Sequence, residues 1–193
     1  MKHPFRQFIE NYTPIDNNVW SRVEEQLQRK VYQEGTLVLE QGKTCNILFF
    51  VESGLLRFIT YQDGEPMTKF FTEAPYCFTS QRSFTKQIPS EEAIEVLENS
   101  VVWEISRTAA YELLEEKDWS AFQRKLTEEV QFFTEVILKD IQNKTAEERY
   151  MELIETRPNL VQKVQLKHLA SYLGIAPQSL SRIRKKYIEK LKS

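Results

Sequence analysis

The 193-residue chain is 41% hydrophobic and 28% charged, which is ordinary for a globular chain and suits one large domain or a medium domain plus a small one. It has no apolar run near the ~18 residues of a membrane span and no apolar signal core at its start, so we expect a cytoplasmic protein without membrane contact. The two cysteines lack metal-ligand spacing and the two histidines lie in different regions, so we expect no metal site and no cofactor.

The net charge of −2 conceals an asymmetry along the chain. Residues 144–193 carry 11 Lys and Arg against 5 Asp and Glu, a net of +6, whereas residues 1–143 carry 15 against 23, a net of −8. A basic end on an acidic body is typical of a protein in which one end meets nucleic acid.

The first elements predicted along the chain are an amphipathic helix over residues 16–30 and a series of short strands. The strands are separated by glycine-containing turns and cover residues 30–32, 37–39, 47–51, 55–61, 67–71, 93–97 and 101–105. This spacing favours a small antiparallel barrel or sandwich. Helical character resumes over residues 107–116.

A long helix is predicted next, because apolar residues recur at spacings of three and four. This apolar stripe consists of Trp119, Phe122, Leu126, Val130, Phe133, Ile137 and Ile141. Phe132, Val136 and Leu138 add apolar surface beside it, so the helix has two faces to pack. We expect one face to pack on its own domain and the stripe to form a homodimer with the same helix of a second subunit. The alternative is that both faces are buried within one chain.

The C-terminal residues have the pattern of a helix-turn-helix. Residues 145–148 predict the capped start of a preceding helix, which ends before Pro158. In the motif itself, one face of a first helix carries Leu166, Leu169, Ala170 and Leu173. Gly174 follows where a helix needs a left-handed C-terminal residue, and Pro177 lies where a second helix would start. The inner face of that second helix consists of Leu180, Ile183 and Tyr187.

The outer face of the second helix is polar and basic, which predicts binding to double-stranded DNA. We expect the bases to be contacted by Gln178, Ser179, Ser181 and Arg182, and the phosphates by Lys167, Arg184, Lys185 and Lys186. In such motifs the second helix lies in the major groove. The alternative is a protein-contact module that does not bind DNA.

The order of helix, β-roll, long helix and helix-turn-helix resembles the CRP/FNR family of bacterial transcription regulators across nearly the whole chain, most strongly in two stretches. Residues 35–42 with 47–54 are similar to the family's first β-roll strands and their turn glycines, and residues 169–174 with 179–183 are similar to its DNA-binding motif. By that match Gln178 and Arg182 occupy base-reading positions. Pro177 replaces a residue that is often a base-contacting arginine, and the usual C-terminal hairpin does not follow the second helix.

The resemblance implies an α+β fold. An N-terminal antiparallel β-roll with flanking helices, a double-stranded β-helix of the cyclic-nucleotide-binding type, would be a sensor domain over residues 1–117. A dimerisation helix would cover residues 118–143, and a winged-helix-like helix-turn-helix domain residues 144–193. The implied protein is a dimeric regulator acting on a two-fold operator, not an enzyme, with RNA polymerase and an unidentified small-molecule effector as further candidate partners.

The ligand pocket departs from the pattern of the family's cyclic-nucleotide-binding members. The Gly-Glu pair that would hold the ribose is missing from residues 75–80, and Glu91 and Glu92 stand where an Arg-Ser/Thr pair would hold the phosphate. A phosphate facing carboxylates without a cation is costly to bind. We therefore predict a degenerate effector pocket, which comprises Arg57, Thr79, Ser80, Arg82, Ser90, Glu91 and Glu92.

Two other hypotheses concern this β-roll. A cyclic nucleotide could still bind in a rebuilt pocket, with Arg82 or Arg57 as the cation. A cupin-type enzyme would need a histidine-rich metal shell, and residues 31–106 contain no histidine.

Overall fold

The structure is a computed structural model that describes residues 2–191. Its helices are α1 (Pro4–Glu10), α2 (Asn17–Glu25), α3 (Gln81–Lys86), α4 (Arg107–Glu112), α5 (Lys117–Asn143), α6 (Ala146–Thr156), α7 (Pro158–Lys163), α8 (Leu166–Leu173) and α9 (Pro177–Leu191), with a 3₁₀ helix (Leu113–Glu115) between α4 and α5. Its strands are β1 (Gln28–Tyr32), β2 (Leu37–Leu39), β3 (Ile47–Gln62), β4 (Glu65–Glu73), β5 (Tyr76–Phe78) and β6 (Ala93–Ser106). Within this described range, no helix has both the length and the apolar character needed to cross a membrane.

The strands form one antiparallel sheet built around two long strands, β3 and β6. The order is β1-β6-β3-β4, with β2 on β6 and β5 on β3. Each long strand contains two of the predicted short strands, because the chain bends at bulges near Gly54 instead of turning back. Gly54 has a φ of +111°, and a Cβ there would lie 2.0 Å from the side-chain oxygen of Ser100. The bend therefore requires glycine.

The predicted helix over residues 16–30 is shorter in the structure. The side chain of Asp16 accepts a hydrogen bond from the backbone N–H of Asn18 and caps α2, which ends at Glu25. The remaining residues are extended, because residues 28–32 pair with β6 as strand β1. The register of the sheet overrides a helical pattern here.

The first half of α5 belongs to the core of its own β-roll. Trp119 and Phe122 are fully buried, Leu126 is buried beside them, and both aromatic rings contact Phe5 of α1. The indole N–H of Trp119 donates to the carbonyl of Ala110. The prediction that Trp119, Phe122 and Leu126 contact a second subunit is therefore wrong, because these side chains are covered by their own chain.

The C-terminal unit is a set of four helices, α6 to α9. The predicted cap of α6 is confirmed: Thr145 and Glu148 form a reciprocal capping box. The described residues between 144 and 191 contain no strand. The expectation of a winged-helix-like domain is therefore wrong in one respect, because a wing would require a β-hairpin. The unit has its own buried cluster, which also includes Leu55 and Phe71 of the β-roll. The helical unit thus packs against the sheet.

Candidate nucleic-acid interface

The helix-turn-helix is formed by α8 and α9, as the sequence predicts. Gly174 ends α8 in the left-handed conformation with a φ of +72°, and the N–H of Ile175 donates to the carbonyl of Ala170 over 3.0 Å. Pro177 is the first residue of α9, where its fixed φ suits the helix start. This tight turn sets the angle between the two helices.

The inner face of α9 packs on α8 through buried apolar residues. Leu180 is fully buried against Leu169, Ala170 and Leu173, while Ile183 is half-buried at the margin of the same cluster. The buried seam holds α9 in one orientation, which presents the opposite face outward.

The outer face of α9 is polar and open to solvent. Gln178, Ser181 and Arg182 are exposed, and Ser179 is half-buried. The guanidinium of Arg182 donates to the hydroxyl of Ser179 over 3.2 Å, so these two residues form a pair on the surface. The four predicted base-contacting residues are therefore adjacent at the N-terminal end of α9.

The predicted phosphate contacts separate into two groups. Lys167, Lys185 and Lys186 are exposed, with Lys186 paired to Glu147 of α6 over 2.8 Å. Arg184 is half-buried, and the expectation that it lies on the outer face is wrong. Its Nε donates to the hydroxyl of Tyr150 over 2.8 Å. Its guanidinium lies 5.7 Å from the Tyr150 ring, so Arg184 stabilises the contact between α9 and α6.

The second half of α5 carries an unusual amount of exposed apolar surface. Phe132 is 64% exposed, and Val130, Phe133, Val136, Leu138 and Ile141 are exposed by 41% to 56%. Ile137 is half-buried. The single stripe read from the sequence therefore divides at residue 126, and its distal half is not covered within the described chain.

Three of the seven predicted pocket residues meet in a polar cluster at the rim of the β-roll, together with Lys69 of β4. The carboxylate of Glu92 accepts from the hydroxyl of Ser80 and from the ammonium of Lys69, each over 2.9 Å. The hydroxyls of Ser80 and Ser90 are 3.0 Å apart, and Ser90 donates to the backbone carbonyl of Glu92. Both serines are buried. The carboxylate of Glu92 is thus the anion of this cluster.

The other four predicted pocket residues lie elsewhere. Arg82 and Glu91 form an ion pair on the surface, each more than half exposed. Thr79 donates to the carbonyl of Ile47 over 2.8 Å. Arg57 is buried, and its partners are Glu95, Thr68 and His168 of α8. The expectation that all seven residues line one pocket is wrong, because Arg57 contacts the helical unit and Arg82 faces solvent.

Phenylalanine rings fill the middle of the β-roll. Phe58 stacks on Phe70 with centroids 4.0 Å apart and meets Phe78 edge-on at 5.8 Å. Phe49 stacks on Phe78 at 5.1 Å. Three of these four rings are buried, and Phe70 packs against them. These apolar rings offer no hydrogen bond to a ribose or a base.

Comparison with known proteins shows which fold this chain shares. Residues 29–117 match the family of cyclic nucleotide-binding domains. A protein from Eubacterium rectale, described as a transcriptional regulator of the CRP/FNR family, is 17% identical with a TM-score of 0.74 over 93% of this chain and 88% of its own. This chain has the CRP/FNR fold.

Two further structures share the CRP/FNR fold with it. A CooA variant from Carboxydothermus hydrogenoformans is 15% identical with a TM-score of 0.71 over 96% of this chain and 84% of its own. The c-di-GMP responsive global regulator CLP of Xanthomonas campestris is 16% identical with a TM-score of 0.70 over 91% and 93%. No curated protein sequence matches the chain significantly.

Sequence reasoning missed several polar residues that shape the surfaces of this CRP/FNR fold. Lys69 completes the cluster at Glu92, Glu147 pairs with Lys186, and Arg149 donates to the carbonyl of Leu173 at the end of α8. All three meet their partners through tertiary contacts, which leave no local signal in the sequence.

Proposed function

We propose that this protein is a DNA-binding transcription regulator that acts as a homodimer. The observation that carries the proposal is the outer face of α9, where Gln178, Ser181 and Arg182 are exposed above a fully buried Leu180. A rigid helix with amide, hydroxyl and guanidinium groups on one open face is suited to reading base edges in the major groove. The CRP/FNR fold of the chain supports this proposal.

Charge supports the same assignment. The net of +6 over residues 144–193 lies in the unit that contains α9, and Lys167, Lys185 and Lys186 are exposed there. Exposed lysines around a recognition helix favour phosphate contacts, which give affinity without sequence preference. Arg184 is not part of this set, because its guanidinium is engaged with Tyr150.

The proposed dimer interface is the distal half of α5, which contains Val130, Phe133, Ile137 and Ile141 together with Phe132, Val136 and Leu138. A contiguous apolar surface of this kind is typical of an interaction site. Two copies of α5 packed in this way would place two α9 helices on one duplex, as a two-fold operator requires. On this proposal the sensor domain covers residues 1–117, the dimerisation helix residues 118–143 and the DNA-binding domain residues 144–193.

We propose further that the β-roll does not use a cyclic nucleotide as effector. The carboxylate of Glu92 already accepts from the hydroxyl of Ser80 and the ammonium of Lys69, which an anionic ligand would need, and the roll is filled with phenylalanine rings. A ligand phosphate would have to displace a charged group held over 2.9 Å by Ser80 and Lys69. The effector, if there is one, differs in chemistry.

Selection of genomic DNA fragments by the purified protein tests the DNA-binding proposal. We expect enrichment of a two-fold sequence, and retention that falls steeply as salt is raised. The matched control for Lys186→Ala is Lys30→Ala, which removes the same charge from an exposed position on β1. Loss of retention in both variants equally, or no salt dependence in the wild type, would favour a protein-contact module.

Sedimentation tests the dimer proposal. Replacing Val130 and Phe133 by Glu should give monomers, because buried unpaired carboxylates are heavily penalised. Gln131→Glu is the control, since Gln131 hydrogen-bonds Glu135 along the polar side of the same helix. An unchanged dimer in the Val130 and Phe133 variant would place the interface elsewhere.

A further inference from the structure

The helical unit is docked on the β-roll through α8, the first helix of the helix-turn-helix. The backbone N–H of Thr68 in β4 donates to the hydroxyl of Ser171 over 2.8 Å, and that hydroxyl also lies 3.8 Å from the sulfur of Met67. The rings of Phe71 and Tyr172 meet at 5.3 Å. The amide of a strand residue is thus satisfied by a helix of the other unit.

Two ion pairs extend this contact, one from the residue that precedes α7 and one from the last residue of α7. The guanidinium of Arg157 pairs with Glu73 of β4 over 2.5 Å, and the ammonium of Lys163 pairs with Glu98 of β6 over 2.7 Å. Both pairs are partly exposed, so each contributes little by itself. They lie at the border of the buried contact, and Arg57 and His168 lie at its centre.

The centre of the contact is an arginine that donates to a histidine. The Nη1 of Arg57 lies 2.5 Å from the Nδ1 of His168, and both side chains are buried. A guanidinium carries only donors, so the Nδ1 of His168 must be the acceptor and the imidazole must be neutral, with its proton on Nε2. Glu95 and Thr68 hold Arg57 in place, over 2.5 and 3.0 Å.

We propose that His168 is a proton-sensitive latch between the two units: the neutral ring accepts from Arg57 and holds α8 on β4, and protonation of the ring releases the helical unit. A protonated ring would present an N–H to the N–H of Arg57 and bring two positive charges together in a buried contact. Both effects oppose docking, and neither exists when α8 is free in water.

The charged groups around His168 determine whether docking raises or lowers its pKa. Arg57 faces it from β3, Lys167 flanks it on α8, and Glu95 of β6 is the single nearby anion among the groups that shift it, while β4 contributes the hydroxyl of Thr68. The pKa of His168 is lowered to about 4, mainly by burial and further by Arg57 and Lys167, while Glu95 opposes them. The docked state thus disfavours the proton, and docking is lost as pH falls below the ordinary histidine pKa of about 6.5.

The size of the effect follows from these two pKa values. Between about pH 7.5 and pH 5.5 the docking equilibrium constant should fall about tenfold, since the undocked histidine becomes protonated and the docked one does not. Release would leave α9 tethered but no longer fixed to the β-roll. Under the proposed function, a dimer with two loose α9 helices binds a two-fold site less well, because orientation must be restored on binding.

The docking itself can be measured without DNA, so its failure is distinguishable from a failure of the proposed function. The chain has two histidines, and His3→Asn leaves His168 as the only imidazole signal in a proton NMR titration. We expect a His168 pKa well below 6.5 in this variant. A pKa at or above 6.5 would overturn the proposal.

Amide hydrogen exchange at Thr68 gives the second measurement, because its N–H donates to Ser171 across the contact. Protection of this amide, corrected for intrinsic exchange, should fall about tenfold from about pH 7.5 to pH 5.5. His168→Asn should remove this pH dependence, since the Oδ1 of Asn can accept in place of Nδ1 and does not titrate. His3→Asn, the matched control, should retain it. Equal pH dependence in both variants would overturn the latch.

If His168→Asn does not fold, Ser171→Ala provides the decisive variant. It removes the acceptor of the Thr68 amide and leaves His168 in place. Weaker docking should then move the pKa of His168 upward, toward the value of a free histidine. An unchanged pKa would show that titration and docking are not coupled.

Discussion

The rim of the β-roll and the outer face of α9 are both polar, yet they differ in how their polar groups are satisfied. At the rim, Ser80 and Lys69 donate to the carboxylate of Glu92, and Ser90 bonds the hydroxyl of Ser80 and the backbone carbonyl of Glu92. On α9, Gln178 and Ser181 are exposed, and Arg182 contacts only the neighbouring Ser179 in the described part of the chain. At the rim, the donors are already hydrogen-bonded to a carboxylate of the chain itself, whereas donors on the outer face of α9 are open to an external ligand.

This difference indicates where an external anionic ligand can bind. A ligand at the rim must first break hydrogen bonds that the chain makes to itself, so its net gain is small. A ligand at the outer face of α9 displaces water and the exposed contacts that Arg182 makes with Ser179 and Lys186 with Glu147. We therefore expect an anionic ligand to bind at the outer face of α9 in the helical unit, and not at the rim of the β-roll.

Calorimetry with cyclic AMP and cyclic GMP tests whether the rim can bind an anionic ligand. The expected loss of affinity is the largest effect among these predictions. Even at an effective dielectric near 20, like charges ~4 Å apart repel by about 4 kcal/mol, or roughly three decades of affinity. We expect no binding at micromolar concentration, because the phosphate would meet the carboxylate of Glu92. A micromolar dissociation constant that is lost in Arg82→Ala would support the rebuilt pocket and end the contrast between the two regions.

Truncation of the buried side of α9 shows whether its outer face depends on a fixed seam. Leu180→Ala should lower the free energy of unfolding of the helical unit by about 3 kcal/mol, since Leu180 is fully buried. Ile188→Ala is the matched variant, because Ile188 is 50% exposed on the same helix. Urea titration followed by circular dichroism measures both. Similar losses for the two variants would mean that α9 is not held by this seam.

Arg182→Ala separates base reading from general attraction. It should cost ~1–3 kcal/mol at the selected site and flatten the base preference at one position. Lys186→Ala should weaken cognate and random duplexes alike and reduce the salt slope. Competition binding at two salt concentrations distinguishes them. Equal losses on cognate and random DNA for Arg182→Ala would contradict its assignment as a base-reading residue.

The smallest effect concerns the helix that supports the seam. Thr145→Ala removes the capping box of α6 and should cost about 1 kcal/mol of unfolding free energy. Thr127→Ala is the control, because Thr127 lies within α5 and donates only to the carbonyl of Gln123. Thermal unfolding compares the two variants. A larger loss for Thr127→Ala would show that the box does not stabilise the unit.

Sequence alone was sufficient for the helix-turn-helix, because its signals are local. Gly174 supplies the left-handed residue that ends α8, and Pro177 starts α9. The two residues are three positions apart and need no distant partner to act. The alternation of short β-rich runs likewise predicted the antiparallel roll, although two pairs of runs are continuous strands that bend at Gly54 and near Ser100.

Only the tertiary structure decided which partner each side chain meets. The apolar stripe of α5 has one period throughout, yet Phe122 is buried and Phe133 is exposed, because the β-roll covers only the first half of the helix. The sequence pattern predicted Arg57 in the effector pocket and Arg184 on DNA phosphates, but packing brings them to His168 and Tyr150. Local backbone preferences are written in neighbouring residues, whereas burial and hydrogen-bond partners depend on residues far apart in the chain, which a single sequence does not bring together.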